Sequence, residues 1–365
     1  MPTGSNRSMT TAHVNRVATG VPPIDVHEAF VDYACSQLVQ DPRRGELFRR
    51  LSWKGEIEHR YSYLQPCDEP SSEGLDVERF YVPGRFPPTS KRMQYFAKRA
   101  PALAKATIDR LELGKERHDI SHVIVTCCTG FSAPGIDLQI LDMCDLPTSV
   151  ERTFIGFMGC SAAINGLKVA RHIVRSDPSA KVLLVNLELS TLHFKETHDL
   201  EQILSFFLFA DGCAASLISA EPIGIALDSF RAVLAPETTE LITWNIGDDG
   251  FDMKLSGQVP GAIRNALCAN SEAILRGVPL KEIDLWAVHP GGRTVLDAVQ
   301  LALDLPLKAL SDSRQVLRQF GNMSSATVMF VLNRLMDTME PGQLGCGMAF
   351  GPGLVAETMH FHSVS

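Results

Sequence analysis

Cys160, His289 and Asn322 are residue types that can serve as a thiol nucleophile, its proton partner and an amide hydrogen-bond donor. Cys160 stands in FIGFMGCSAAINGLK, where an apolar run that reads as a strand turns at Gly159 into a helical pattern. A thiol at a helix N-terminus meets unpaired N–H groups and the positive end of the dipole, which lower a pKa of about 8.5 toward thiolate. A protonated imidazole nearby would lower it further, and Gly159 permits a tight turn that exposes the sulfur. Taken singly, each residue has a plainer reading: a packed core thiol, a structural histidine at a strand end, a helix N-cap. Their spacing favours chemistry. Cys127 precedes Cys160 by 33 residues (160 − 127) and His289 precedes Asn322 by 33 (322 − 289), so one offset of 162 (289 − 127) relates the pairs.

That offset points to an internal duplication, with halves at 1–219 and 220–365. In each half a strand ends in Cys or His before a small-residue turn (TCCTG, VHPGG), and a glycine then opens a helix (GCSAA, GNMSS). Halves packed about a pseudo-twofold axis would bring Cys160, His289 and Asn322 to one central site. The elements around them alternate. HVIVTCC, RTFIGFMG, KVLLVNLEL and CAASLISA read as buried strands, and LQILDMC and the segment after Cys160 as helices. DLWAVHPGG, VLDAVQLAL, MSSATVMFVLNRLM and GCGMAFG repeat that order, as in an α/β architecture with buried sheets. Upstream, 28–65 reads as helical, CDEPSSEGLD as a polar linker, and Ser90 to Leu113 as a helix.

Composition narrows the function classes. The chain has 365 residues, 45% of them hydrophobic, enough for a substantial core. A formal net charge of −8 gives no support for binding nucleic acid. Nine scattered cysteines, with no CxxC pair and no zinc spacing, suit a reduced, cytoplasmic protein and predict no metal site. The N-terminus lacks a signal-peptide pattern, and no apolar run approaches the roughly 18 residues of a spanning helix, so no stable membrane association is expected. DDGFD at 248–252 reads as a turn rather than a calcium loop, and the late GPG has no phosphate-loop frame.

GFMGCSAAINGLK, AVHPGG, FGNMSSATVMFVL and AFGPGLVAETM together resemble the type III polyketide synthases, the chalcone and stilbene synthase family, in a bacterial version. The likeness runs from about Val21 to the C-terminus. It implies a thiolase-like α/β fold, two βαβαβαββ halves in an αβαβα layered core. It also implies a homodimeric acyltransferase that takes an acyl-CoA starter and malonyl-CoA and needs no bound cofactor. The resemblance gives Cys160 the acyl chain as a thioester, and His289 and Asn322 the enolate left when malonyl-CoA loses CO2. Repeated condensation and ring closure would give a pyrone, resorcinol or phloroglucinol-type product.

Further positions match the family one by one. Phe209 in FFLFADG matches its gatekeeping phenylalanine, and Met253 stands where a second phenylalanine is usual, with Phe251 nearby. Arg50 and Lys54 match basic positions that contact coenzyme A, and also suit a solvated helix face. Phe350, Gly351, Pro352 and Gly353 match a loop that shapes the cavity. Cys128, Ser190, His193 and Trp244 match positions where pocket volume varies. Cys128 replaces a threonine common in plant members, and Trp244 a residue that is often glycine; Trp244 reads equally well as core packing. Two other classes share the fold: a ketoacyl synthase fed by carrier protein, with a basic docking surface and one condensation per cycle, and a binding protein without a reactive nucleophile.

Overall fold

The computed structural model describes residues 10–38 and 41–364. Its first half opens with β1 (His13–Gly20). A short ladder of β2 (Ile24–Asp25) with β3 (Tyr61–Ser62) brackets helices α1 (His27–Gln37) and α2 (Pro42–Lys54). The expected helix over 28–65 is thus two helices that end at Lys54. The expected linker is a hairpin, β4 (Pro66–Ser71) with β5 (Gly74–Asp76), and the buried Asp76 carboxylate accepts from the backbone N–H groups of Phe80 and Tyr81. After α3 (Thr89–Asp109) the strands alternate with helices: β6 (His122–Cys127), α4 (Ile136–Met143), β7 (Glu151–Gly156), α5 (Ala162–Ser176), β8 (Val182–Leu189), α6 (Leu200–Leu208) and β9 (Asp211–Ser219).

The second half begins with β10 (Ile225–Leu234) and a hairpin of β11 (Ile242–Gly247) with β12 (Gly250–Leu255), which turns at Asp248 and Asp249 as DDGFD suggests. It continues with α7 (Val259–Leu275), β13 (Leu285–Val288), α8 (Arg293–Ala302), α9 (Ser311–Phe320) and α10 (Thr327–Met336). It closes with β14 (Leu344–Gly351) and β15 (Val355–Ser363). β8 and β14 start and end 162 residues apart (344 − 182, 351 − 189), the offset that relates Cys160 to Asn322.

Nine strands join in the order β13-β14-β15-β10-β1-β9-β8-β6-β7. β1 sits where the halves meet, antiparallel to both β9 and β10. In the parallel segments, β8-β6-β7 and β13-β14, strands β8 and β13 are buried along their whole length between helices, as the apolar run of β8 suits, while the edge strand β7 is largely exposed. The layers follow from three apolar clusters. The central one packs Ile164, Leu167 and Ala170 of α5 with Val328, Val331 and Leu332 of α10 between sheet faces. Outside it, Ala100, Leu103 and Ile140 of α3 and α4 cover the first half, and Ile263, Leu267 and Leu296 of α7 and α8 the second. Helix, sheet, helix, sheet, helix is the αβαβα arrangement. It turns the N-terminal ends of α5 and α10 toward each other.

Candidate active site

Cys160 sits in a short 3-10 turn, Gly159–Ser161, that feeds α5. Gly159 has φ +60, and a Cβ there would collide with the Pro352 ring. A Cβ on Gly351 would strike the Ser161 hydroxyl. The nucleophile's turn is thus held against the Phe350-Gly351-Pro352-Gly353 loop of the opposite half, and only glycine fits at both contacts. The Gly159 N–H donates to Cys128 Sγ at 3.1 Å.

Asn322 is placed from both halves. Its N–H donates to Leu208 O at 2.8 Å, and its carbonyl accepts from Ala210 N at 2.9 Å, a bridge that also fixes Phe209. The Ser324 N–H, which can only donate, reaches its side-chain oxygen at 2.9 Å. That contact assigns the amide: Oδ1 caps the next turn, while Nδ2 is offered toward the cavity with one 3.3 Å bond to Gly291 O. N-cap and donor are therefore one residue used at two ends. His289, at the end of β13, is buried, and neither ring nitrogen has a partner among the described residues. Gly291 leaves its Nε2 edge open, since a Cβ there would lie 3.6 Å away.

The charges differ from the sequence expectation. Burial pushes the Cys160 thiol up to about 12, outweighing its contacts to Ser324 Oγ at 3.8 Å and Asn322 Oδ1 at 4.0 Å. Burial likewise pushes His289 down to about 3. Enclosure by protein thus lowers the imidazole and raises the thiol, the latter opposite in direction to the lowering expected from the helix end. Neutral thiol and neutral imidazole face one cavity, and the imidazole has a free lone pair to take a proton.

Cys160, His289 and Asn322 line one cavity. Phe209, Cys128, Ser190, His193, Trp244, Met253, Phe350 and Pro352 line it too, whereas Gly351 packs against Ser161 and Met158 and neither it nor Gly353 is part of the lining. Trp244 faces inward, its indole N–H donating to Cys128 O at 2.7 Å. Met253 stands across the hairpin from it. Phe251 lies behind, stacked on His193 at 4.1 Å. His193 is spent: Nε2 donates to Thr129 O at 2.8 Å and Nδ1 accepts from Phe251 N at 3.0 Å. A groove sharing Leu255, Val259, Gly291 and Val295 with the cavity leads outward, and Lys54, Arg44 and Arg293 stand along it. Arg50 lies instead on the outer face of α2 beside Trp53.

Sequence reasoning missed Glu188. Wholly buried, it accepts from Ser325 Oγ at 2.6 Å, Thr129 Oγ1 at 2.9 Å and Cys128 N at 3.0 Å, and burial raises it to about 7. No cluster among the described residues could hold a metal ion, and no helix there is long and apolar enough to cross a membrane.

Comparison with known proteins agrees with this geometry. The family models for chalcone and stilbene synthases match over both domains, the N-terminal at residues 5–222 and the C-terminal at 227–365. The chain belongs to the chalcone and stilbene synthase family. It is thus a type III polyketide synthase, an acyltransferase. Among relatives of this synthase is the alpha-pyrone synthesis polyketide synthase-like Pks18 of Mycobacterium tuberculosis, 31% identical over 96% of this chain and 91% of that one. Bisdemethoxycurcumin synthase of Oryza sativa is 30% identical over 99% and 94%. The crystal structure of PKS-I from the brown alga Ectocarpus siliculosus superposes with a TM-score of 0.87 at 27% identity, covering 99% of this chain and all of that one.

Proposed function

We propose that the synthase loads an acyl group from a coenzyme A thioester onto Cys160 and lengthens it with malonyl-CoA, before cyclisation to a pyrone, resorcinol or phloroglucinol-type product. The observation that carries this reading is the meeting in one cavity of Cys160, a His289 unpartnered among the described residues, and Asn322 Nδ2, which spends one N–H on Gly291 O and has the other to offer. Cys160 Sγ gives its proton to His289 as it attacks the starter's thioester carbon; the coenzyme A sulfur leaves as a thiolate that takes a proton from solvent, and His289 keeps its proton to donate in the next step and return to the cysteine sulfur at the end. Malonyl-CoA then binds with its thioester oxygen toward His289 and Asn322 Nδ2. Loss of CO2 leaves an enolate on that oxygen, and its carbon attacks the Cys160-bound acyl group, returning the cysteine sulfur as leaving group. Two donors aimed at a developing oxyanion in a water-poor cavity are worth about 3 kcal/mol each.

Lys54, with Arg44 and Arg293, suits the phosphates of coenzyme A along the outer groove. A homodimer in the cytoplasm completes the reading: β7 is an edge strand of exposed residues, and Phe154, Leu138 and Met158 are exposed near it. Mass spectrometry of products from a panel of acyl-CoA starters with malonyl-CoA tests the function. Starter-dependent products extended by acetate units are expected; CO2 release without any extended product would overturn it. Sedimentation at micromolar concentration tests the dimer, which a mass near 40 kDa would exclude.

A further inference from the structure

Behind Phe209 lies a second chamber that the chemistry above does not use. Ser190, Phe206 and Phe209 line both spaces and form the wall between them. The chamber's other walls are mainly apolar and aromatic, from Phe30 and Tyr33 of α1 to Leu64, Leu75 and Phe194. Set in them are three buried polar atoms with no hydrogen-bond partner among the described residues: Arg60 Nη2, Tyr33 Oη and Ser190 Oγ.

Structural duty accounts for only part of Arg60. Its Nη1 donates to the carbonyls of Phe206 and Phe209, each at 2.9 Å, which caps the C-terminal end of α6, and its Nε donates to His27 Nδ1 at 3.1 Å. Nη2 adds nothing to that task. The guanidinium is 2% exposed and forms no ion pair among the described residues; Asp25 and Asp211 act on it only from a distance. Buried donors are ordinarily satisfied, so the Arg60 Nη2 N–H groups and the Tyr33 hydroxyl, both on residues lining this chamber, suit an acceptor placed in it. Tyr33 has the same surplus. Its ring packs edge-on against Phe194 at 5.6 Å, which a phenylalanine would do as well, while its hydroxyl bonds to nothing.

We propose that this chamber receives the far end of an acyl starter, and that Tyr33 and Arg60 select starters carrying a neutral oxygen there, a hydroxyl or ketone. The proposal rests on the acyl-loading reading and adds its substrate class. The apolar walls fit a hydrocarbon body, and only Ser190, Phe206 and Phe209 separate the chamber from the space around Cys160 among the residues lining both. The oxygen is neutral because Asp76 lines the chamber and Asp211 stands behind Thr191, its carboxylate accepting from Thr191 N and Oγ1, each at 2.8 Å. A carboxylated chain end would meet the Asp76 carboxylate in the chamber wall, which disfavours an anion there.

The test uses the full chain with matched starters at two lengths: octanoyl-CoA and dodecanoyl-CoA, each against its terminally hydroxylated and terminally carboxylated counterpart. At the length that reaches the chamber, the hydroxylated starter should exceed the plain one in kcat/KM by about tenfold, since a site built to bond an oxygen discriminates against chains that lack it. Tyr33→Phe, checked for an unchanged melting temperature, should bring that ratio near one. Equal kcat/KM for plain and hydroxylated starters at both lengths would overturn the proposal, as would a ratio that survives Tyr33→Phe. Preference for the carboxylated chain would overturn the neutral-oxygen assignment. Intact-mass detection of acylated Cys160 and CO2 release from malonyl-CoA separate the two levels. If no starter loads, the acyl-loading reading falls and takes this one with it; if plain starters load and extend without discrimination, only the chamber's role falls.

Discussion

The two halves place residues at equivalent backbone positions and then treat them oppositely. Cys127 and His289 both end a parallel strand 162 residues apart. Cys127 is buried in a network with Thr129 Oγ1 at 3.6 Å and Glu188 at 3.9 Å, whereas the His289 ring has no hydrogen-bond partner among the described residues. Cys160 and Asn322 both open a central helix, one as a weakly bonded thiol, the other as an amide whose oxygen is fixed and whose nitrogen is offered. The duplicated scaffold supplies position; which hydrogen bonds are already taken decides function. The strand edges differ similarly. The first half ends in exposed β7, and residues 313–318, at the matching offset in the second, belong to helix α9.

The most drastic way to break this contrast is to exchange alanine for each cysteine in turn. Cys160→Ala should abolish acyl-enzyme by intact mass and lower product formation by at least about 1000-fold. Cys127→Ala should retain most turnover and lose about 1 kcal/mol of stability in urea titrations. Comparable losses of turnover in both would erase the distinction between a spent and an unspent thiol.

Next in size is Asn322→Asp, which keeps the oxygen that caps the following turn and removes the donor. CO2 release from malonyl-CoA should fall by about 100-fold or more, with loading of Cys160 reduced far less. Equal slowing of both steps would reduce Asn322 to a scaffold residue.

Acid should expose a further difference. Burial depresses both His193 and His289 to about 3, from an ordinary value near 6.5. The unfolded chain therefore binds more protons between those values, so their stabilising contribution is complete above pH 6.5 and lost as pH falls toward 3. Protonating His193 also breaks its bond from Phe251 N. His289→Gln should show a smaller drop in melting temperature between about pH 7 and pH 5 than the parent, by a few degrees. Identical pH profiles would mean that His289 is not held neutral by its surroundings.

The smallest effect concerns the hairpin that the second half adds to the cavity. Trp244→Gly should leave condensation within a few-fold of the parent, while lengthening the polyketide or admitting bulkier starters. An unchanged product profile from an active variant would show that the indole does not limit the space.

The sequence made legible what is periodic or repeated. β6, β8, β13 and β14 appear as apolar runs, and the 162-residue offset places the three chemical residues before any contact is known. β1 was harder to read. HVNRVATG mixes Asn15 and Arg16 among its apolar residues, because one end of the strand answers to both neighbouring strands. Arg60 and Glu188 escaped notice for another reason. A charged residue in a sequence reads as surface, and what buries these two are partners far along the chain, Phe206 and Phe209 for one, Ser325 for the other. Lys54 and Arg50 looked equivalent until α2 gave them different faces.

The place of β1 bears on how the protein is made. His13–Gly20 leaves the ribosome before every other strand of the sheet, yet its neighbours there are β9 and β10, synthesised only after Phe209. Through most of translation of the first half, a strand with Val14 destined for the deepest core has no edge to join. Early emergence therefore gives no head start, and closure of the first half waits on a pairing between its earliest and latest strands. Such long-range closure is slow, and the waiting strand is an aggregation hazard that favours chaperone capture of the nascent chain.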